Sequence, residues 1–167
     1  MWAPDLILIA RKLVTGVVGS GKGRPREAEL RRAVSTAYYA LFHTLARSGA
    51  DLLVGRTKKF RSQLAWQQAY RALDHEETRK RCLNTQRMAG FPSAIQVFAD
   101  TFVAFQQLRH LADYDPLAKF SRSMVLQWVD EVDNAISGFN SVERSHRKAF
   151  AAYVLFKRRS ERPSRLD

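Results

Sequence analysis

Four side chains that could act on a phosphate group stand close together near the end of one apolar segment. They are Arg109, His110, Asp113 and Tyr114, in the stretch LRHLADYDP of residues 108–116. An arginine supplies a permanent positive charge, and histidine or aspartate can accept a proton. Arg109 and Asp113 are spaced to form an ion pair on a helix, whereas Tyr114 points partly elsewhere. The plainer interpretation is that this pair only closes a helix end.

A second group of polar side chains lies on a regular apolar pattern earlier in the chain. Apolar residues recur every three or four positions there, which predicts a helix over residues 25–46. Arg32, Tyr39 and His43 add polar groups to this helix, and we expect them to contact a ligand. Polar groups so close to a core need partners, so a structural histidine is the alternative for His43.

The elements that would position these groups all have helical periodicity. Besides the helix over 25–46, the pattern predicts helices over 4–18 and 63–73, one that ends at about Tyr114, and one that starts near Lys119. The end at Tyr114 follows from Pro116, because the residue before a proline avoids the α region. No strand-like alternation is long enough to trust, so we expect an all-α, up-and-down bundle of about five helices.

Two further segments are expected to be irregular. Residues 75–92 carry several basic side chains and few apolar ones, which predicts a long connection. Residues 16–25, GVVGSGKGRP, predict a linker that nearly matches a phosphate-binding loop. Gly23 stands where that loop has the serine or threonine that binds magnesium, and no strand precedes it. A nucleotide-binding loop is therefore not expected.

Cysteine and histidine content argues against disulfides and metal centres. Cys82 is the one cysteine, so no internal disulfide can form and a reducing compartment is expected. The four histidines match no common metal-binding spacing. We expect no metal and no cofactor.

The charge of the chain indicates which partners it could bind. Lys and Arg number 28 against 16 Asp and Glu, a net charge of +12, so polyanions such as RNA or a nucleotide are plausible ligands. The first apolar segment is too short to span a bilayer. A soluble, cytoplasmic protein without a membrane partner is expected.

The C-terminal part differs in composition from the rest. We expect a helical bundle over 1–143, then a basic C-terminal helix and a disordered tail over 144–167. The apolar residues within 149–156 need burial, either on the chain's own bundle or on a second copy. They are the first candidate for a homodimer contact.

Two stretches together resemble a known family. RRAVSTAYYALFHTLA, residues 31–46, resembles the second helix of HEPN-domain proteins, and LRHLADYDP resembles the Arg-x-x-Ala-Asp-Tyr signature of a bacterial branch of that family. The resemblance covers about residues 3–140. It implies a small helical bundle that dimerises and brings two copies of the late motif across a shared cleft.

Many HEPN proteins are metal-independent ribonucleases, often toxins paired with a small nucleotidyltransferase antitoxin. Their motif has an arginine, a polar neighbour and a histidine, with four to six residues between the arginine and the histidine. Arg109 matches the arginine and His110 the neighbour, but Tyr114 and the two residues after it stand where the histidine is expected. The base would then be His110, Asp113 or His43.

The resemblance therefore implies that a basic dimer cleft binds RNA or a nucleotide. It also allows ribonuclease activity of toxin type, with a non-standard motif. The alternative is a non-catalytic module that dimerises or binds a minimal nucleotidyltransferase. A further idea is that Tyr114 accepts a nucleotide, because a motif tyrosine is modified in some paired toxins of the family.

Overall fold

A computed structural model describes residues 3–16 and 26–156 of the chain. In chain order, these residues form α1 (Ala3–Thr15), α2 (Glu27–Leu53), α3 (Gln63–Arg71), α4 (His75–Cys82), α5 (Thr85–Met88), α6 (Ser93–Tyr114), α7 (Arg122–Ser141) and α8 (Arg144–Leu155). The expected linker after Gly16, with its near match to a phosphate-binding loop, and the expected tail after 156 lie outside the described residues. Both stay predictions.

The all-α class predicted from the sequence is confirmed, but the described residues form eight helices rather than about five. The segment 75–92, expected as a long connection, contains α4 and α5. Each begins after a capping side chain, since Asp74 accepts from the Glu77 N–H and Asn84 from the Arg87 N–H. These helices are short and polar, so they lack the apolar periodicity that marks the longer ones.

Across the described residues, no helix is both long and apolar enough to cross a membrane.

α2 is the central helix, and it packs against α1, α3, α6, α7 and α8. Its alanines Ala33, Ala37 and Ala40 are fully buried, and such small side chains let neighbouring helices approach closely. α2 continues to Leu53, past the predicted end at residue 46, and Gly49 lies inside the helix. A Cβ at Gly49 would come within 2.9 Å of the Leu155 side chain, so the glycine serves close packing against α8 rather than a turn.

α6 contributes the aromatic centre of the core and carries the late motif at its end. Phe98, Phe102 and Phe105 are at most 1% exposed on its inner face. The helix ends at Tyr114, which confirms the boundary predicted from the following proline. Because α6 packs along α2, its last two turns lie beside the polar residues of α2.

α8 packs on the chain's own bundle. Phe150, Ala151 and Val154 are buried, and the Phe150 ring contacts the rings of Phe91 and Phe139 at centroid distances of 5.4 and 6.2 Å. The sequence left two alternatives for this segment, burial on the chain's own bundle or burial on a second copy. For these three residues, burial on a second copy is wrong. The reason is that α8 folds back onto α2 and α4, which cover its apolar face.

Phe150→Ala is expected to lower the free energy of unfolding by about 3–5 kcal/mol, because it removes a fully buried ring from a packed core. Urea denaturation at two protein concentrations measures it, and the loss should be equal at both because the contacts are intramolecular. Phe156→Ala truncates a ring that is 59% exposed, and this control should change stability by less than about 0.5 kcal/mol. A loss that depends on concentration would show that Phe150 contacts a second copy.

Candidate functional site

The late motif places an ion pair between α6 and α2. Arg109 Nε donates to Asp113 Oδ2 at 3.1 Å along α6, as their spacing predicted. Asp113 also accepts a hydrogen bond from Ser35 Oγ of α2. The carboxylate is thus held from two helices, and it fixes the direction in which the Arg109 guanidinium points.

The Arg109 guanidinium lies over two tyrosine rings of α2. Its central carbon is 5.6 Å from the ring centroid of Tyr38 and 5.7 Å from that of Tyr39. A cation over an aromatic face gains about 0.5–2 kcal/mol, depending on how far it is desolvated. The Arg109 side chain is 19% exposed, so it is partly desolvated but still open to a ligand.

A histidine from α4 meets the same two tyrosines. The Tyr38 hydroxyl and His75 Nδ1 are 2.6 Å apart, and the Tyr39 ring lies 6.4 Å from the imidazole, edge to face. The Phe42 ring stacks on His75 at 4.0 Å. Arg109 and His75 are therefore held against one shared pair of aromatic rings, although they come from different helices.

Burial and charge keep this imidazole neutral. Burial lowers the pKa of His75, and the nearby positive charge of Arg109 lowers it further. The direction of the hydrogen bond between Tyr38 and Nδ1 depends on the tautomer of His75. Where Nδ1–H donates to the Tyr38 oxygen, the lone pair lies on Nε2, as a general base at Nε2 requires; where the Tyr38 hydroxyl donates, Nε2 carries the proton. Burial also raises the pKa of Tyr38, so this hydroxyl keeps its proton in the core.

His43 lies one helical turn after Tyr39 on α2 and faces α3. Its Nδ1 is 2.6 Å from the Tyr70 hydroxyl, and its ring stacks between those of Tyr39 and Tyr70 at 6.1 and 6.0 Å. Burial lowers the pKa of His43. The imidazole has the satisfied, packed surroundings of a structural histidine, and it is linked to Arg109 only through Tyr39.

Three of the residues expected at the site lie apart from this cluster. His110 and Tyr114 are exposed, and their rings contact each other at 4.9 Å on the outer side of α6. Arg32 is exposed as well, and its backbone carbonyl accepts from Thr36 Oγ1. The structure therefore brings Arg109, Asp113 and Tyr39 together, with His43 at the edge of the cluster.

His75 and Tyr38 are the members that sequence reasoning missed. The pattern of Asp74 followed three residues later by Glu77 is a signal for a helix start, and it could have revealed α4. No pattern in the sequence, however, indicates that the first residue of α4 packs against α2. Tyr38 belongs to the apolar stripe of α2, a position that indicates only a core residue.

The end of α6 is closed by a different arginine. Arg31 donates to the carbonyl oxygens of Ala112 at 3.0 Å, Asp115 at 2.8 Å and Ala118 at 2.5 Å, and its guanidinium lies 5.2 Å from the centre of the Phe120 ring. The Ala112 carbonyl is one of the orphan carbonyls that a helix end must satisfy, and Asp115 and Ala118 lie in the segment just after the helix. Arg31 thus stabilises this helix end, and the Arg109–Asp113 pair that the plainer interpretation predicts is present beside it.

Comparison of the chain with models of known protein families, with curated proteins and with solved structures gives no match.

Replacing Arg109 with glutamine is expected to raise the pKa of His75, because it removes a nearby positive charge that disfavours the imidazolium. An NMR titration of the imidazole signals measures this. In the wild type the His75 midpoint should lie below the ordinary value of about 6.5, and it should move toward that value in the variant. His43 is the internal control, because burial rather than Arg109 lowers its pKa. An unchanged His75 midpoint would show that the two groups are not coupled.

Proposed function

We propose that this chain is a HEPN-like protein that binds RNA beside Arg109 and cleaves it without a metal ion. The observation that carries the proposal is that Arg109 and His75 are both held against Tyr38 and Tyr39. Metal-independent cleavage of RNA needs a cation for the phosphate and a base for the 2′-hydroxyl, and these two side chains supply both.

The chemistry assigns one role to each group. His75 Nε2 removes the proton of the 2′-hydroxyl, and the 2′ oxygen then attacks the neighbouring phosphorus. The bond from phosphorus to the 5′ oxygen breaks, and this leaving oxygen takes a proton from water, which leaves a 2′,3′-cyclic phosphate and a 5′-hydroxyl end. Arg109 stabilises the negative charge that grows on the phosphate oxygens, and Asp113 keeps the guanidinium in place.

His75 also accounts for the departure from the family motif. Tyr114 stands where the resemblance places a histidine, but its ring is 67% exposed and packs against His110. An imidazole on α4 that contacts the same two tyrosines as Arg109 supplies the same titratable group from a different helix. The base in this proposal is therefore His75 rather than His110, Asp113 or His43.

Aromatic surfaces and charge favour a single-stranded polyanion as the ligand. The ring of Tyr39 is half-buried and lies beside Arg109, where a base could stack on it. The net charge of +12 attracts a phosphate backbone, and such binding weakens as salt rises. A free nucleotide would use the same cation and aromatic ring but would lack the backbone contacts.

A second candidate function is supported by exposed apolar side chains next to the motif. Leu111, Tyr114 and Leu117 are 42%, 67% and 83% exposed at the end of α6 and just beyond it. Such a cluster suits a homodimer contact or the docking of a nucleotidyltransferase, as the family resemblance implies. In this alternative the protein is an interaction module, and Arg109 has no role in RNA binding.

The test of the proposal is cleavage of a mixed RNA pool in the presence of EDTA. Wild-type protein should cleave, and Arg109→Gln and His75→Gln should each lower the rate by about 100-fold or more, because each removes a group that acts in the transition state. His110→Gln is the matched control. It alters an exposed ring next to Arg109 in sequence but outside the cluster, and it should leave the rate within about threefold of wild type.

Circular dichroism and sedimentation verify that all variants keep the fold and the oligomeric state of the wild type. Loss of cleavage in His110→Gln but not in His75→Gln would contradict the assignment of the base. If wild-type protein neither cleaves nor binds RNA, the ribonuclease proposal fails and the interaction module is the better account.

A further inference from the structure

A cavity separate from the Arg109 cluster lies where four helices meet. It has a volume of about 530 Å³ and lies between the start of α1, the second half of α2, the end of α7 and the start of α8. Cavities of about 300–1,000 Å³ are the usual size of small-molecule sites. Arg109 and His75 are not in its wall, and of the expected site residues only His43 borders it.

The wall of this cavity is strongly positive. Four arginines line it, namely Arg47, Arg56, Arg144 and Arg147. The one acidic side chain in the wall, Asp51, is already engaged, because it accepts from the Trp66 indole N–H at 2.8 Å and pairs with Arg61 and Arg47 at 3.3 and 3.5 Å. The arginines therefore outnumber the acids four to one, which suits a ligand with more than one negative charge.

The first turn of α8 gives a second, independent reason to expect an anion. Arg144 and Arg147 stand there, and no acidic residue occupies that turn. The carboxylate of the N-cap residue Glu143 accepts from Ser145 Oγ at 2.7 Å but makes no capping hydrogen bond to the backbone N–H groups of this turn. Cations at the positive end of a helix dipole are unfavourable for stability, whereas a bound anion would be stabilised by the dipole and by both arginines.

One buried hydroxyl in the wall also lacks a partner. Ser48 Oγ is shielded from solvent and makes no hydrogen bond within the described residues. Buried polar atoms are nearly always satisfied, so this hydroxyl is an exception in the cavity wall, but it is closed to solvent and offers a ligand no direct contact. Ala3, Pro4, Leu52 and Ile136 provide apolar wall beside the charged part. The cavity thus combines a polyanion-binding side with an apolar side.

We propose that this cavity binds a phosphate monoester of nucleotide size. The phosphate would contact the arginines and the α8 N-terminus, and the ribose and base would lie against the apolar wall. Such a group is present both in a free mononucleotide and at the phosphorylated end of an RNA strand. The inference does not depend on cleavage at Arg109, because its residues form a different site.

The experiment is calorimetric titration with four probes at low salt: AMP, adenosine, and an oligonucleotide without 2′-hydroxyls in two forms, one with and one without a 5′-phosphate. AMP or the phosphorylated oligonucleotide should bind, and adenosine and the unphosphorylated strand should bind at least about tenfold more weakly, because a doubly charged phosphate gains charge-assisted hydrogen bonds. Binding by AMP indicates a free nucleotide as the source, and binding by the phosphorylated strand alone indicates an RNA end.

The variants are Arg56→Gln and Arg144→Gln, each of which removes one charge from an exposed side chain in the wall. Each should weaken binding of the phosphorylated probe by about tenfold, the loss of one charge-assisted hydrogen bond. Arg144→Gln relieves an unfavourable dipole contact, so it should fold at least as well as wild type. Arg122→Gln removes an exposed arginine from the first turn of α7, outside the cavity wall, and is the matched control.

Equal binding of phosphorylated and unphosphorylated probes would overturn the proposal. So would wild-type affinity in both Arg56→Gln and Arg144→Gln, or an equal loss in Arg122→Gln, since either result would mean that the phosphate does not bind in this cavity. None of these variants alters Arg109 or His75, so a failure here is distinguishable from a failure of the cleavage test.

Discussion

The hydroxyl of Tyr38 is the polar group on which the architecture of the site depends. Tyr38 is fully buried in the centre of α2, and an unsatisfied buried hydroxyl would cost about 1–3 kcal/mol. His75 satisfies it, and this requires α4 to begin where it does, after Asp74. The same ring supports the Arg109 guanidinium from α6. One requirement of the core thus brings a cation and an imidazole together.

α2 also connects the two regions for which we propose anionic ligands. Tyr39, His43 and Arg47 follow one another at single-turn spacing, from the Arg109 cluster to the arginine-lined cavity. Eight residues of helix span about 12 Å, so the two regions are close enough for one extended ligand to reach both. His43 lies between them and packs against Tyr39 and Tyr70. Small alanines on the buried side of α2 let the other helices pack close, so α2 provides a rigid support.

Rules that use only nearby positions in the sequence predicted the features that depend on residues close together along the chain. The end of α6 follows from Pro116, and the Arg109–Asp113 pair follows from helical spacing. Helix geometry also explains why His110 faces outward, since adjacent residues differ by about 100° around the axis. Contacts between distant segments were not predictable. The meeting of His75 with Tyr38, and of Arg31 with the end of α6, depends on tertiary packing that no local pattern encodes.

The central claim is that RNA binds where Arg109 and His75 both contact Tyr38 and Tyr39. The most direct test measures the binding of a strand that cannot be cleaved. An oligonucleotide without 2′-hydroxyls, titrated into isotope-labelled protein, can be followed by NMR at the His75 and Tyr39 side chains. The account predicts that both signals shift along one saturation curve, that added salt weakens binding, and that Arg109→Gln abolishes the shifts. Shifts confined to other surfaces, such as the basic segment 56–61, with His75 and Tyr39 unmoved, would contradict it.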